Sequence, residues 1–460
     1  MKRPLTPPNP ETILTEIAGD MEKMKRVFSH MSPETNGRYY HWEILKYFPT
    51  PEGISTKEWW MAIKFARRSA YKPLFIKDFT GSPFKFVMTD SVLSMLHDID
   101  KRMAGTIQGT EPITNQGTRD TYLVKSLIQE ATRSSQLEGA TTTQIVAKNM
   151  ILTGREPRNK AERMIWNNYQ AMFFIRSIYE ADLTPKIICK IHSLLTVGTL
   201  KDPSAVGRFR REDEPIVIED AITGKLLHQP PPASKLPARI ATLCEFANET
   251  DKNSFMHPVI RAIVLHFLLG YDHPFVDGNG RTARALFYWA MAKHGYWLNE
   301  YVSISNILCR APSKYAMAYL YTETDENDLT YFIIYHLKAL KRAIDELYAY
   351  LGRKSDELRE TRQLIQEHGA RVFNHRQLAV LHNAMENPQA LYSVVSHKTA
   401  HGITKQTART DLMELSSMGL LMQTKMGRMF VFSPPRDLKK KLVELGHPVP
   451  AVKQLKSKKR

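Results

Sequence analysis

The sequence predicts a mainly α-helical chain with one short β-hairpin near its middle and a compact unit of helices and a second hairpin at its C-terminal end. Three observations carry that expectation. Between Tyr122 and Tyr350 apolar residues recur at helical spacing. Within that block EPIVIEDAITGKLLHQP sets two short apolar runs around Ile222-Thr223-Gly224, which reads as a hairpin, and Pro230-Pro231-Pro232 ends it because proline cannot feed a ladder. Beyond a charged stretch, helical segments lead into LLMQTKMGRMFVF, a hairpin pattern with Gly427 in its turn.

Residues 1–120 read as a helical N-terminal region broken at PLTPPNP, FPTPEG and YKPLF. From Ser91 the positions Val92, Leu93, Met95, Leu96 and Ile99 suit an amphipathic helix, and GTIQGTEPITNQGT reads as a loop. The block 121–350 opens with a helix from Thr121 to Leu137, stopped by Gly139. A second helix, Lys160 to about Glu180, carries the apolar stripe Met164, Ile165, Tyr169, Met172, Phe173 and Ile175. Helices are also expected at Pro185–Leu195, Pro237–Asn248, Pro258–Gly270, Thr282–His294, Ser313–Tyr321 and Leu329–Tyr350. Residues 351–372 form a charged linker helix.

In 373–436, NHRQLAVLHNAME is followed by a helix that Thr404 caps, that carries Ala408, Leu412 and Leu415, and that Gly419 ends. Three helices and then a hairpin is the order of a winged helix-turn-helix. Its third helix, within 404–417, would present Lys405, Gln406, Arg409 and Thr410 to the major groove of duplex DNA. Packing on the rest of the chain or self-association is the other use of such a unit. Residues 437–460 read as a basic tail.

Hydrophobic residues make up 43% of the 460 and charged residues 24%, enough to bury a large core. That excludes a disordered, collagen-like or coiled-coil chain. Cys189, Cys244 and Cys309 are far apart with no C-x-x-C pair, which argues against a disulfide scaffold and a cysteine-built zinc site. The N-terminus lacks the apolar core of a secretory signal, and the apolar stretch Ala262 to Tyr271 is too short to span a bilayer. A cytoplasmic protein with no membrane partner is expected. The net charge is +17, and from Arg371 onward 16 basic residues face 5 acidic ones. Such a field favours anionic partners, nucleic acid first, unless the terminal KSKKR is only a solvated tail.

The chemistry is concentrated in His273-Pro274-Phe275-Val276-Asp277-Gly278-Asn279-Gly280-Arg281-Thr282-Ala283-Arg284. This loop lies between two helical patterns and opens the second. Gly278 and Gly280 flank Asn279 and let backbone N–H groups converge at a helix N-terminus, a ready place for phosphate oxygens. Arg281 and Arg284 lie three apart on the first turn, and two guanidinium forks suit a polyphosphate. Asp277 offers an oxygen ligand of the kind Mg2+ takes beside substrate phosphates. His273 can accept a proton near neutral pH. Together these residues describe a nucleotide-dependent transferase. The match of Gly278, Gly280 and Ala283 to a dinucleotide fingerprint fails because a helix, not a strand, precedes it, and no G-K-[ST] makes it a P-loop. His266 is read as a core histidine rather than a metal ligand.

HPFVDGNGRTAR resembles the HPFx[D/E]GNGRxxR motif of the Fic family, whose members mostly transfer AMP from ATP to a protein hydroxyl. Every fixed position is present. VGRFRRED, the hairpin and HQPPP resemble the family's G-x-[FY]-R segment and substrate flap, while Tyr315 and DLTYFIIYHL resemble its closing elements. YYHWEILKYFPTPEGISTKEWW is similar, more weakly, to the leader of one subset. The resemblance implies a Fic-type helical core with a hairpin flap, and a protein adenylyltransferase that uses ATP as substrate and Mg2+ as cofactor. His273 would be the base. Asn279, Gly278 and Gly280 would form the anion hole, and Arg281 would steady the phosphate in transfer. Arg284 would take the γ-phosphate, Asp277 would hold Mg2+ and Phe275 would anchor the loop. A target protein would dock on the hairpin 214–229, unless the hairpin merely covers the site. Tyr315 would lie near the adenine.

Ser134-Ser135-Gln136-Leu137-Glu138-Gly139 resembles the family's [S/T]xxxE[G/N] inhibitory helix, expected here near 121–139. Ser134 and Glu138 share a helical face. Glu138 would pair with Arg284 and turn ATP into an unproductive pose. Related members move other phosphate-containing groups or remove AMP, and a nucleotide-sensing DNA-binding regulator is a further possibility. The target protein, its modified residue and the oligomeric state are not encoded in any recognisable pattern.

Overall fold

The computed structural model describes residues 2–103, 116–220, 223–248, 255–369, 373–386, 390–426 and 429–446. It is mainly helical, as expected. The described residues fall into two compact units, one of 2–103 with 123–347, the other of 116–122 with those from Tyr348 onward.

At the centre of the first unit, the helix Pro258–Asp272 packs against Asn279–Lys293. Pro258–Asp272 is buried on nearly every side, which is why its sequence is apolar all round rather than striped. Its polar members have assigned partners: the buried Arg261 donates to the Phe246 carbonyl at 2.7 Å. Lys160–Ile178 and Pro185–Thr196 pack on the far side of Asn279–Lys293. Phe173, expected in the core stripe, is instead 39% exposed and lies edge-on against Tyr169. Leu93 likewise faces out, while Val92, Met95, Leu96 and Ile99 are buried.

The N-terminal residues do not form a unit of their own, contrary to the boundary expected at 120. A Ser55–Glu58 capping box opens the helix Thr56–Ala70. That helix brings Lys64 within 2.7 Å of Asp325 with both side chains fully buried, and Arg67 donates to the Tyr331 hydroxyl at 2.7 Å. These bonds tie the N-terminal helices to Asp325, just past the helix Pro312–Thr324, and to the first turn of the helix Thr330–Gly369. YKPLF, read as a break, is part of the strand Tyr71–Lys77, which pairs antiparallel with Pro83–Val87. Pro73 is tolerated because the ribbon has only two strands and its register shifts after Pro73. The helix Gln144–Thr153 was also unforeseen; Thr143 caps it and Gly154 closes it with a left-handed turn.

The central hairpin is present but shorter than 214–229. Ile218–Glu219 pairs with Leu226–His228 across an irregular register. Asp220 accepts the Thr223 N–H and hydroxyl and so shapes the turn; Ile222 lies outside the described residues.

The helix Thr330–Gly369 takes in 351–369 of the expected linker, the rest of which lies outside the described residues, and contributes residues to both units. The second unit holds the helices His375–Glu386, Val394–His401 and Lys405–Ser417 and a three-stranded antiparallel sheet. In that sheet Met429–Ser433 lies between Tyr392–Ser393 and Met422–Met426. Thr404 accepts the Thr407 N–H at 3.1 Å, and Gly419 follows the helix with positive φ. Gly427, assigned to the hairpin turn, lies outside the described residues. The expected tail begins as the helix Leu438–Gly446, with Leu438 and Leu442 buried against Leu381, Leu412, Leu415 and Phe432. The two leucines sit at i and i+4, so they share the inward face. Among the described residues no helix is long and apolar enough to cross a membrane.

Candidate functional site

The helix Pro258–Asp272 ends at His273, which adopts a left-handed conformation with φ 45°. Its Nδ1–H donates to the Gly270 carbonyl at 3.0 Å, which leaves Nε2 with a free lone pair. Burial holds the imidazole below its ordinary pKa despite that bond, so it is neutral at pH 7. Arg210 fixes the turn from behind. Its Nε donates to the His273 carbonyl at 2.9 Å, its backbone N–H to the Pro274 carbonyl at 2.8 Å, and a second guanidinium nitrogen to the Pro231 carbonyl.

The next helix begins at Asn279, three residues before the expected Thr282. Gly278 stands at its N-cap with φ 85° and no side chain caps it, so the first-turn N–H groups face outward without intrahelical partners. A side chain at Gly278 would come within 2.7 Å of Thr196 Cγ2, and one at Gly280 would collide with the Glu138 carboxylate. Asn279 is committed by its side chain: it accepts the Phe275 N–H at 2.9 Å and donates to the Phe275 carbonyl at 2.8 Å. It therefore clamps the loop, and its backbone N–H remains for an anion. Phe275 is fully buried with its ring stacked 3.7 Å from His192. His192 accepts the Gly207 N–H on Nδ1 and donates from Nε2 to the Asp277 carbonyl at 2.8 Å. Its burial pushes its pKa down to about 4, which keeps the ring neutral and this tautomer fixed.

Arg284 is buried and held by the end of the helix Gln116–Leu137. Its Nε donates to Ser134 Oγ at 2.8 Å, and its Nη2 donates to the Ser134 carbonyl at 2.9 Å and to Glu138 Oε1 at 3.0 Å. One turn back, the buried Glu130 accepts the Tyr288 hydroxyl, the Ser303 hydroxyl and the Ser305 N–H at 2.8, 2.8 and 3.1 Å. That carboxylate anchors the helix, and with it Glu138, to the centre of the unit.

A cavity of about 280 Å3 is lined by His273, Asp277, Gly278, Asn279, Gly280, Arg284 and Glu138, and also by Tyr315, Tyr319 and residues of the hairpin. Two expected site residues do not line it. Ser134 lies behind Arg284, and Arg281 is buried with Nη1 donating to the Leu195 carbonyl at 2.9 Å and Nη2 3.6 Å from Asp277 Oδ1. Asp277 is half exposed and faces the cavity. The open Asp277 carboxylate fits the way Mg2+ is held, by one or two protein oxygens with substrate phosphates completing the shell. No group of three or more possible metal ligands occurs among the described residues. His266 is fully buried and bonded to the Tyr315 hydroxyl at 2.8 Å, in keeping with a core histidine. Arg210, His192 and Glu130 escaped the sequence reading as site-shaping residues. Only Arg210 had a signal there, its place in GRFR.

Residues 182–291 match the model of the Fic/DOC family, and the chain carries a Fic/DOC family domain. "Protein adenylyltransferase Fic" of Drosophila sechellia and that of Drosophila melanogaster are each 33% identical to it over 128 residues, 27% of this chain. The chain spans about a quarter of the length of these curated relatives. A crystal structure of a Fic family protein from Desulfovibrio desulfuricans G20 superposes with a TM-score of 0.51 at 17% identity, covering 76% of this chain and 98% of that one. That likeness is one of fold.

Proposed function

We propose that this Fic-domain chain transfers AMP from Mg-ATP to a hydroxyl side chain of a protein, and that Glu138 restrains the transfer by holding Arg284. The observation that carries the reading is one cavity bounded by a neutral imidazole, an uncapped helix N-terminus and a buried arginine whose partner is a carboxylate. In this reading His273 Nε2 takes the proton of the target hydroxyl as that oxygen attacks the α-phosphorus. The bond to the bridging oxygen breaks and pyrophosphate leaves. The first-turn N–H groups of Asn279, Gly280 and Arg281 meet the growing phosphoryl charge, stabilisation by donors fixed in advance. Arg284 receives the γ-phosphate once Glu138 lets go. Mg2+, held by Asp277, would neutralise phosphate charge when bound.

The restraint has a simple electrostatic basis. A carboxylate 3.0 Å from Arg284 occupies the guanidinium and places negative charge where a terminal phosphate would sit. The hairpin supports target docking, since Ile218–Glu219 is paired on one side only. To test the reaction, ATP labelled separately on the α- and γ-phosphates is given to the Glu138→Gly protein. Label from the α-position alone must appear on protein; γ-label on protein would mean phosphoryl transfer instead.

A second partner is favoured by a separate observation. Lys405, Gln406, Arg409 and Thr410 all lie exposed on the helix Lys405–Ser417. We infer that this face engages the phosphates and bases of duplex DNA. A complex with duplex DNA that weakens steeply with salt, and is lost on changing Lys405 and Arg409, is the expected result.

A further inference from the structure

The cavity has two chemically different ends. Gly280, Arg284 and Glu138 lie together at one, and Ile218 and Leu227 of the hairpin, beside His228, wall the other. Tyr315, which interacts with Arg284, and Glu323 lie on the same helix, Pro312–Thr324, and the step of eight residues from one to the other amounts to about 12 Å of rise, close to the reach of a nucleotide from phosphate to base. At the apolar end stands a group that apolar walls do not explain, the Glu323 carboxylate, whose side chain is only 11% exposed. His228 of the hairpin holds one of its oxygens: Nδ1 lies 2.8 Å from Oε2, and Nε2 lies 2.7 Å from the Tyr271 carbonyl oxygen. No hydrogen bond from a described residue reaches the other oxygen.

A carboxylate oxygen only accepts. Nearly buried, oriented by an imidazole and left with an open lone pair, it favours a ligand that brings an N–H to it and disfavours one that brings a carbonyl or a bare ring edge. We propose that Glu323 is the specificity-determining residue for the nucleobase, accepting an N–H from an exocyclic amine, and that the cavity thereby selects amine-bearing bases. The inference rests on the nucleotide reading of the cavity and adds to it the class of base and the atom that reads it. His228 is a positioning residue in this arrangement; it aims the carboxylate and joins the hairpin to both Tyr271 and Glu323.

The test compares binding of ATP with that of purine riboside triphosphate, which lacks the 6-amino group, using the full chain and calorimetry. The unaltered protein binds ATP at least ~tenfold tighter, as expected for one hydrogen bond to a charged acceptor. Glu323→Ala narrows the ratio to within about threefold, chiefly by weakening ATP. His228→Ala, which removes the tether and keeps the carboxylate, retains a preference for ATP. Equal binding of the two nucleotides by the unaltered protein overturns the proposal. So does a full preference in Glu323→Ala. Should the unaltered protein bind neither nucleotide, the nucleotide reading of the cavity fails with it, whereas ATP binding without discrimination sinks only the role of Glu323. Melting curves of both variants show whether the fold is intact; an unfolded Glu323→Ala is replaced by Glu323→Leu, for which the same collapse of the ratio is required.

Discussion

Glu138 Oε1 lies 3.0 Å from Arg284 Nη2, and Ser134, one turn earlier, takes the Arg284 Nε at 2.8 Å. One helix end thus holds a buried guanidinium by its side and its tip. Removing Glu138 leaves the Ser134 bonds to keep Arg284 in place but frees its outer edge for a phosphate. Glu138→Gly is therefore expected to raise protein labelling from ATP at least ~tenfold, since a bond to a charged group is worth about 1.5–3 kcal/mol. Adding His273→Ala returns labelling to background. Labelling of Glu138→Gly no stronger than that of the parent would refute the restraint.

Arg210 acts on His273 through the backbone, by the 2.9 Å bond from its Nε to the His273 carbonyl. Arg210→Ala in the Glu138→Gly protein should lower the turnover ~10–100-fold with little change in ATP affinity, because a misplaced base harms the reaction more than binding. A matched loss of ATP affinity would show instead that Arg210 supports the cavity as a whole.

The pH profile follows from burial of His273, which keeps its pKa below the ordinary value. As the proposed base, His273 would act unprotonated. Transfer by Glu138→Gly should stay level as pH falls from about 8 to 6.5, the ordinary histidine value, and decline only below it. A decline centred above neutrality would remove His273 from the role of base.

In the second unit, burial alone would raise the Asp411 pKa, but hydrogen bonds from Arg376, Asn374 and His397 outweigh it and hold the carboxyl at about 2. A folded-state pKa below the unfolded one gives stability that is present above about pH 4 and lost as pH falls towards 2. Thermal or denaturant unfolding should show a loss of about 2 kcal/mol across that range, and Asp411→Asn should abolish the pH dependence while lowering stability at pH 7. An unchanged acid limb in Asp411→Asn would assign it to other carboxylates.

The legible part of the site was its contiguous part. His273, Asp277, Gly278 and Gly280 meet the cavity because a helix, a sharp turn and another helix position them locally. Packing directs two of the site's side chains: Asn279 spends its amide on Phe275, and Arg281 turns towards the Leu195 carbonyl. Neither direction is set by spacing alone. Glu138 and Ser134 were reachable only through a resemblance, since the chain carries no local mark of a contact with Arg284 across some 150 positions. Arg210, His192, Glu130 and the His228–Glu323 pair depend wholly on long-range packing. In the fold, helices with strong periodicity were foreseen, whereas the ribbon from Tyr71 to Val87 was hidden by Pro73, a residue that argues against a strand unless an edge accommodates it.

The most direct test of the central claim is the intact mass of the Glu138→Gly protein after incubation with ATP and magnesium. A gain of one AMP unit, absent when His273→Ala is added, is the predicted result. An unchanged mass, or a gain of phosphate alone, would contradict the account.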